Sequence, residues 1–167
     1  MKNIVFIGMP GSGKSTIGRL VSKALHRPFT DSDDYLHQMI GRDIKALFRE
    51  SEEKFRDAET KAIRELAAKE GTIIACGGGV VKRAENMDLL RKTGTVFFLD
   101  RNLQEIARSV DTKGRPLLNS SANRLQQLYN ERIDLYRKYS HYTIPVVEGP
   151  QKTAQIVLTK IQEIESR

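Results

Sequence analysis

The sequence of 167 residues has no tryptophan, a single cysteine and no long apolar run. One cysteine cannot form a disulfide within the chain, which excludes a disulfide-stapled fold and fits a reducing cytoplasm. No apolar run approaches the roughly 18 residues that a membrane-spanning helix needs, and the short one at residues 4–7 precedes a glycine-rich segment rather than a cleavage site. We therefore expect one cytoplasmic domain over residues 1–167, with no membrane partner.

The charge balance is positive, with 28 Lys and Arg residues against 21 Asp and Glu residues and a formal net charge of +7. Such a balance suits either a nucleic acid or a small, highly anionic substrate such as a nucleotide. The basic residues are spread along the chain and only 7% of residues are aromatic. Because single-stranded nucleic acid binding favours dense basic stretches with interleaved aromatics, we expect no nucleic-acid partner.

Short apolar runs alternate with longer amphipathic stretches along the whole chain. The runs predict strands at residues 2–7, 28–31, 72–76, 95–99 and 142–147. The stretches predict helices at 14–26, at 33–70 with breaks near Gly41 and Ser51, and at 83–92, 102–110, 124–139 and 153–165, with a long polar loop at 111–123. This alternation predicts an α/β fold in which helices cover both faces of a parallel sheet. Ligands of such sheets bind beyond the carboxyl ends of the strands.

A glycine-rich segment follows the first predicted strand. Residues 8–15 read GMPGSGKS and fit G-x-x-x-x-G-K-[ST], the loop that binds the phosphates of nucleoside triphosphates. Gly11 and Gly13 allow the backbone to curl so that its N–H groups point at phosphate oxygens. Lys14 supplies a positive charge to the β- and γ-phosphates, and the Ser15 hydroxyl suits Mg²⁺. The motif indicates a nucleotide but not what the phosphate is used for.

The second predicted strand ends in an acidic cluster, residues 31–34. In an extended chain Asp31 and Asp33 would project to the same side, roughly 6.6 Å apart, and could serve a metal and a substrate hydroxyl. Carboxylates at a helix start also serve as simple N-caps. The spacing alone leaves capping and function open.

Two further patterns admit a functional and a simpler explanation. Arg56 and Glu59 lie on one face of a predicted helix, where a surface salt bridge is the simpler interpretation. Residues 77–79 are three consecutive glycines after the third predicted strand. Glycines there indicate that a ligand approaches the backbone closely, whereas the simpler explanation is a loose loop.

Together these segments resemble the shikimate kinase family over nearly the whole chain. The matching pieces are GMPGSGKST (8–16), DSD (31–33), GRDIxxLF (41–48), ExFRxxE (53–59), GGG (77–79), RPLL (115–118) and ERxxLY (131–136). The first is widespread among nucleotide-binding proteins, but the ordered set is far more restrictive. The sequence departs from the family at Ser51, where glycine is usual, and at residues 133–134, where many relatives have proline. We expect these departures to affect only helix geometry.

The resemblance implies a three-layer P-loop NTPase fold, similar to nucleoside monophosphate kinases, with a five-stranded parallel sheet. It also implies a substrate-binding helical segment at about residues 32–60 and a lid at about 111–123. The implied reaction transfers the γ-phosphate of ATP to the 3-hydroxyl of shikimate, on the route to chorismate and the aromatic amino acids. Mg²⁺ is the implied cofactor, and we expect a monomer.

The resemblance also assigns roles to residues. Asp33, Lys14 and Arg115 would be catalytic. The nucleotide contacts would come from Gly11, Ser12, Gly13, Lys14, Ser15, Thr16, Arg108, Arg115 and Gln151. The shikimate contacts would come from Asp33, Arg56, Gly78, Gly79 and Arg132, and Ser15 and Asp31 would hold Mg²⁺.

Two rival functions remain at this stage. A kinase of the same fold could act on another hydroxylated acid, such as gluconate, or on a nucleotide, although FRxxE and GGG argue against it. A non-catalytic nucleotide-binding switch would have no use for Asp33, Arg56 and Arg132 together. Cys76, His26, His37 and His141 have no partners at metal-ligand spacing, so we expect a small buried cysteine and ordinary histidines.

Overall fold

A computed structural model describes residues 1–112 and 119–167, with side chains described for residues 1–109 and 123–167. Its strands are β1 (Asn3–Ile7), β2 (Phe29–Asp31), β3 (Ile73–Ala75), β4 (Gly94–Asp100) and β5 (Tyr142–Pro145). Its helices are α1 (Lys14–Leu25), α2 (Ser32–Ile40), α3 (Ile44–Glu50), α4 (Glu52–Ala67), α5 (Ala84–Thr93), α6 (Leu103–Thr112), α7 (Asn119–Tyr139) and α8 (Pro150–Glu165). One turn of 3₁₀ helix covers Val80–Lys82. None of the described helices combines the length and apolarity needed to cross a bilayer.

The strands form one parallel sheet in the order β2-β3-β1-β4-β5. The central strand β1 pairs with β3 on one side and with β4 on the other, so that Val5 lies between Ile74 and Val96. This arrangement confirms the predicted five-stranded parallel sheet. It also brings the loops after β1, β2 and β3 to one edge of the sheet, where ligands of parallel sheets bind.

The side chains of β1 alternate between two cores, as the period of a strand requires. Val5 and Ile7 face a core built with α4, α5 and α7, whereas Ile4 and Phe6 face a core built with α1 and α8. All four are buried. Helices therefore cover both faces of the sheet, which gives the three layers predicted from the sequence.

The predicted breaks in the helical region after β2 are confirmed. Gly41 has a φ of 68° and ends α2, because a left-handed residue cannot continue a helix. Ser51 ends α3, and its hydroxyl accepts a hydrogen bond from the N–H of Lys54 at 3.2 Å, which caps α4. Serine in place of the usual glycine thus separates the two helices with a side-chain cap.

The boundaries differ most at residues 111–123, where the sequence predicts one continuous loop. The structure continues α6 to Thr112 and begins α7 at Asn119 rather than at residue 124, so the prediction is wrong at both ends. No glycine or proline lies within 119–123, and adding a residue to an existing helix costs little even for asparagine and serine. Residues 113–118, including Arg115, lie outside the described residues.

Candidate active site

The phosphate-binding loop follows β1 and has the backbone that the motif predicts. Gly11 and Gly13 have φ values of 83° and 96°, in the left-handed region that favours glycine. Gly13 also occupies the N-cap of α1, and no side chain caps the helix there. The first N–H groups of α1 are therefore available to an anion, and the positive end of the helix dipole faces it.

Lys14 is buried within this loop. Its ammonium group donates hydrogen bonds to the carbonyl oxygens of Gly8 and Met9, each at 2.8 Å. Burial lowers the pKa of Lys14 to about 8, with a further lowering from Arg132, while nearby acidic groups including Asp33 oppose the shift. The loop thus holds the amine in a site where burial disfavours its positive charge and nearby acidic groups favour it.

Asp31 both caps α2 and contacts the phosphate-binding loop. Its Oδ1 accepts hydrogen bonds from the N–H groups of Asp33 at 2.9 Å and Asp34 at 3.2 Å. Its Oδ2 accepts a hydrogen bond from the Ser15 hydroxyl at 2.5 Å. The capping interpretation is therefore confirmed, and it leaves the second carboxylate oxygen beside Ser15.

The Ser15 hydroxyl oxygen and Asp31 Oδ2 suit Mg²⁺, a hard cation that is commonly bound by one or two protein oxygens together with substrate phosphates. Within the described residues, no group of three or more His, Cys, Asp and Glu side chains could hold a metal by itself. A metal held jointly by Ser15, Asp31 and a nucleotide needs no such cage.

Asp33 lies in the first turn of α2 rather than in an extended chain, so the predicted strand-like spacing from Asp31 is wrong. Helix α2 begins directly at Ser32 because Asp31 already caps it. A Cβ built on Gly77 would lie 2.8 Å from Asp33 Oδ1, which places this carboxylate against the triple-glycine loop. Burial raises the pKa of Asp33, as does the charge of Asp31, while Lys14 opposes the rise.

The next two glycines each lie against a predicted substrate-binding arginine. A Cβ on Gly78 would lie 3.3 Å from Arg132 Nη1, and a Cβ on Gly79 would overlap Arg56 at 2.6 Å from Nη1 and 2.8 Å from Cζ. The glycines therefore let these side chains approach the backbone closely, and the segment is closely packed rather than a loose loop. We call the space bordered by Arg56, Arg132 and the Gly78–Gly79 backbone the arginine cleft.

Arg56 is buried and held by several groups. Its Nη1 donates to Glu59 at 2.8 Å and its Nε to Glu52 at 3.4 Å, while its guanidinium lies 5.7 Å and 5.0 Å from the ring centres of Phe48 and Phe55. Because Arg56 is 7% and Glu59 3% exposed, this pair is not the surface salt bridge that the sequence suggested. Burial raises the pKa of Glu59, and Arg56 opposes that shift.

Arg132 is buried on α7, and its Nε has no hydrogen-bond partner within the described residues. A buried guanidinium with a free donor is costly unless a ligand satisfies it. A cavity of about 170 Å³ lies between Arg132 and Arg56. Lys82 and Glu52 line the same cavity, and the Lys82 ammonium donates to Glu52 at 2.5 Å.

Sequence reasoning assigned no role to three residues near these groups. The guanidinium of Arg101 donates to the Gly11 carbonyl oxygen at 2.8 Å, and its position just after β4 is a signal that could have revealed it. The hydroxyl of Tyr136 donates to the Gly78 carbonyl oxygen at 2.6 Å. Lys82 lines the cavity between Arg56 and Arg132, with no motif to mark it.

The remaining predicted residues lie apart from these contacts. Arg108 is exposed on α6, Gln151 is exposed in the first turn of α8, and Thr16 is exposed on α1. Cys76 is buried as expected, and burial raises the pKa of its thiol. His141 accepts a hydrogen bond at Nδ1 from the N–H of Val96 at 2.9 Å.

Comparison with known proteins identifies similar sequences and structures. Residues 10–165 match the family model described as shikimate kinase. The chain is 51% identical over 138 residues to a shikimate kinase of Clostridium beijerinckii, covering 82% of each protein. It is 43% identical over 165 residues to one of Clostridium botulinum, covering 98% of each.

Solved structures agree with the sequence matches. A shikimate kinase from Acinetobacter baumannii in complex with shikimate superposes with a TM-score of 0.91 at 32% identity, covering 100% of this chain and 96% of that one. A gluconokinase from Sinorhizobium meliloti has a TM-score of 0.64 at 17% identity, with coverage of 99% and 98%, and shares the fold alone.

Proposed function

The chain belongs to the shikimate kinase family, and from that premise we infer how its residues phosphorylate shikimate with ATP. The reaction transfers the γ-phosphoryl group of ATP to the 3-hydroxyl of shikimate and yields shikimate 3-phosphate and ADP. Its product leads to chorismate and the aromatic amino acids. We propose further that the enzyme is a cytoplasmic monomer.

The nucleotide binds at the loop between β1 and α1. Backbone N–H groups of Gly11 and Gly13 and of the first turn of α1 surround the phosphates, with Ser15 and Thr16 in that turn. The Ser12 N–H donates to the Met9 carbonyl oxygen at 3.1 Å and joins them by exchanging that acceptor for a phosphate oxygen. Lys14 exchanges its two carbonyl acceptors for oxygens of the β- and γ-phosphates. This exchange supplies positive charge where negative charge develops during transfer.

Ser15 and Asp31 would hold Mg²⁺ together with the phosphates, and the ion would supply positive charge against the phosphate oxygens. The hydrogen bond between Ser15 and Asp31 brings the two oxygens to one position before the nucleotide arrives. The cap that Asp31 forms on α2 fixes the carboxylate in that position.

Shikimate occupies the space beside the triple-glycine loop. Arg56 and Arg132 bind its carboxylate with charge-assisted hydrogen bonds, and the Gly78 and Gly79 N–H groups donate to its oxygens. Asp33 contacts the hydroxyls and accepts the proton of the attacking 3-hydroxyl as the oxygen bonds to phosphorus. For that role Asp33 must be ionised, so its raised pKa defines an acid limit of activity.

The observation that carries this proposal is the pairing of the triple-glycine loop with three charged side chains. Gly77, Gly78 and Gly79 lie against Asp33, Arg132 and Arg56 respectively. One loop thus brings an acceptor for a hydroxyl proton and two carboxylate-binding cations to the mouth of the phosphate-binding loop. Such an arrangement suits a small molecule that carries both a hydroxyl and an acid.

The other nucleotide contacts are proposed on the family resemblance. Arg115, in the lid that the resemblance implies, binds the phosphates and helps to exclude water. Arg108 and Gln151 contact the adenine. Both side chains are exposed in the described structure and are therefore accessible to a base.

The test is ADP release by the purified protein with Mg²⁺ and ATP, measured in a coupled assay. We expect release that depends on shikimate and not on gluconate or nucleoside monophosphates. Absence of shikimate-dependent release would overturn the proposal. Release with gluconate alone would assign the site to another hydroxy acid, and nucleotide binding without turnover on any acceptor would indicate a switch.

A further inference from the structure

The triple-glycine loop is fixed by a buried hydroxyl group on α7. The Tyr136 hydroxyl donates to the Gly78 carbonyl oxygen at 2.6 Å. The Tyr136 residue has 0% exposure, and its ring stacks on Phe98 with centres 5.1 Å apart and planes 20° apart. Because packing fixes the ring, its hydroxyl holds the carbonyl in one orientation.

The orientation of that carbonyl determines the orientation of the next N–H group. The Gly78 carbonyl and the Gly79 N–H belong to one planar peptide unit and point in opposite directions when the unit is trans. Within the described residues, neither Gly78 N–H nor Gly79 N–H donates a hydrogen bond. Tyr136 thus holds the peptide from behind while its donor on the other side stays available.

The same hydroxyl lies close to the second substrate-binding arginine. Burial raises the pKa of the Tyr136 phenol, and the charge of Arg132, one helical turn earlier, opposes that shift. Gly78 is also confined from the other side, because an added Cβ would lie 2.9 Å from Pro10 Cδ. Tyr136 therefore packs in the core of the fold, donates a hydrogen bond to the triple-glycine loop and lies close to Arg132.

We propose that Tyr136 is a positioning residue for the substrate acid, which aims the Gly79 N–H into the arginine cleft by holding the Gly78 carbonyl. This inference rests on the proposed function, since it concerns the same acid site. Tyr136 itself contacts no substrate in this scheme. It affects binding of the acid indirectly, because it orients the peptide unit between Gly78 and Gly79 and lies close to Arg132.

The experiment compares Tyr136→Phe, which removes one oxygen atom, with Tyr139→Phe on the same helix. Tyr139 is 9% exposed, packs in the same core, and its hydroxyl has no hydrogen bond within the described residues. Loss of the hydrogen bond should raise the KM for shikimate by about three- to tenfold in Tyr136→Phe. The KM for ATP and kcat should stay near the wild-type values, and Tyr139→Phe should leave all three unchanged.

The outcomes separate this inference from the proposed function. If the wild-type protein shows no shikimate-dependent turnover, the proposed function fails. If it turns over and Tyr136→Phe has the wild-type KM for shikimate, or raises both KM values equally, the positioning role is wrong.

A second measurement uses the wild-type protein, so its result does not require that a variant folds. In ¹⁵N-labelled wild-type protein, the Gly79 amide resonance should shift when shikimate is added, because the N–H gains an acceptor. An unresponsive Gly79 amide in an active enzyme would overturn the inference. A smaller shift in Tyr136→Phe than in Tyr139→Phe would support it.

Discussion

The phosphate-binding loop and the arginine cleft lie at the same edge of the sheet but are built in different ways. The loop comes from consecutive residues, 8–16, and is shaped by its own glycines, backbone carbonyls and helix end. The cleft comes from separate segments on α4, on α7 and after β3. Arg56 is positioned there by carboxylates and aromatic rings, and a phenol holds the backbone of the triple-glycine loop.

The difference shows which interactions determine the binding geometry in each region. In the loop, geometry follows from φ angles and the helix dipole, so a short sequence pattern specifies it. In the cleft, geometry follows from tertiary packing, because Glu59 and the Gly79 backbone restrain Arg56, and Arg132 lies close to Gly78. We therefore expect the two regions to fail separately when each is perturbed.

The largest expected effect comes from a substitution in the phosphate-binding loop that leaves the residues of the arginine cleft in place. Lys14→Met removes the charge that faces the phosphates, and kcat should fall by about 10²–10³-fold, as when a preorganised donor to a transition-state charge is lost. Binding of shikimate, measured by calorimetry without nucleotide, should change far less than kcat, because both arginines of the cleft are intact and only the effect of the Lys14 charge on Asp33 and Arg132 is lost. Steady-state kinetics provide the kcat.

The matched control is Lys23→Met, an exposed lysine in the last turn of the same helix. It should retain the wild-type kcat. If Lys14→Met also abolished shikimate binding, the two regions would not be independent and the comparison would fail.

The next effect tests the cleft by steric means. Gly79 has a φ of −93°, which alanine adopts readily, so Gly79→Ala adds only a methyl group. That methyl would overlap the Arg56 guanidinium and displace it. The KM for shikimate should rise by about 10- to 150-fold, the equivalent of a lost charge-assisted hydrogen bond of about 1.5–3 kcal/mol, with nucleotide binding unchanged.

A double-mutant cycle identifies Arg56 as the cause. Arg56→Ala alone should raise the KM for shikimate by a similar factor, and adding Gly79→Ala to it should change little further. Independent, multiplying effects of the two substitutions would mean that the methyl group acts elsewhere in the site.

The pH dependence of binding should also differ between the regions. Lys14 has a pKa of about 8 before nucleotide binds, and bound phosphates favour its charged form. Above about pH 8 nucleotide binding must therefore take up a proton, and its Kd should rise by up to about tenfold per pH unit. Below that pH the ammonium is already charged and the Kd should be constant.

Shikimate binding should be flat between about pH 7 and 9, because arginine stays protonated throughout this range. Calorimetry in two buffers of different ionisation enthalpy measures the proton uptake for each ligand. Proton uptake with shikimate instead of with nucleotide would reverse the assignment of Lys14 and the arginines.

The sequence predicted most of the fold because the strands are short apolar runs and the helix breaks carry glycine or a capping serine. Gly41 and Ser51 ended their helices where expected. The region after α6 was predicted poorly because Asn119 and its neighbours are polar enough for a loop yet contain no helix breaker. Composition alone cannot decide between those two states.

The sequence predicts those parts of the site that are formed by residues close together in the chain. Lys14 and Ser15 follow from one motif, whereas Arg56 and Arg132 came from resemblance, since no spacing rule connects positions on two helices. The burial that turns Arg56 and Glu59 into an internal pair was invisible because i, i+3 spacing describes an exposed helix face equally well. Tyr136 ends the matched ERxxLY piece, but its role was missed because its partner is a backbone carbonyl, which has no sequence signal.

The smallest expected effect concerns the charge at the border of the cleft. Glu52 accepts hydrogen bonds from both Lys82 and Arg56, and the bond from Lys82 lowers the pKa of Glu52. In Lys82→Met the Glu52 charge would act on Arg56 alone and reduce the positive potential felt by an anionic substrate. Because the Lys82 and Glu52 side chains are 40% and 45% exposed, we expect only about a 1.5- to 5-fold rise in the KM for shikimate.

Lys54→Met is the control for this substitution, since Lys54 is an exposed lysine that pairs with Glu50 away from the cleft. It should leave the KM for shikimate unchanged. The effect of Lys82→Met should also shrink at high salt, because screening weakens interactions between exposed charges. A rise that persists at high salt, or that appears equally in the KM for ATP, would show that Lys82 acts by packing rather than by charge, in the same way as tertiary packing fixes the rest of the cleft.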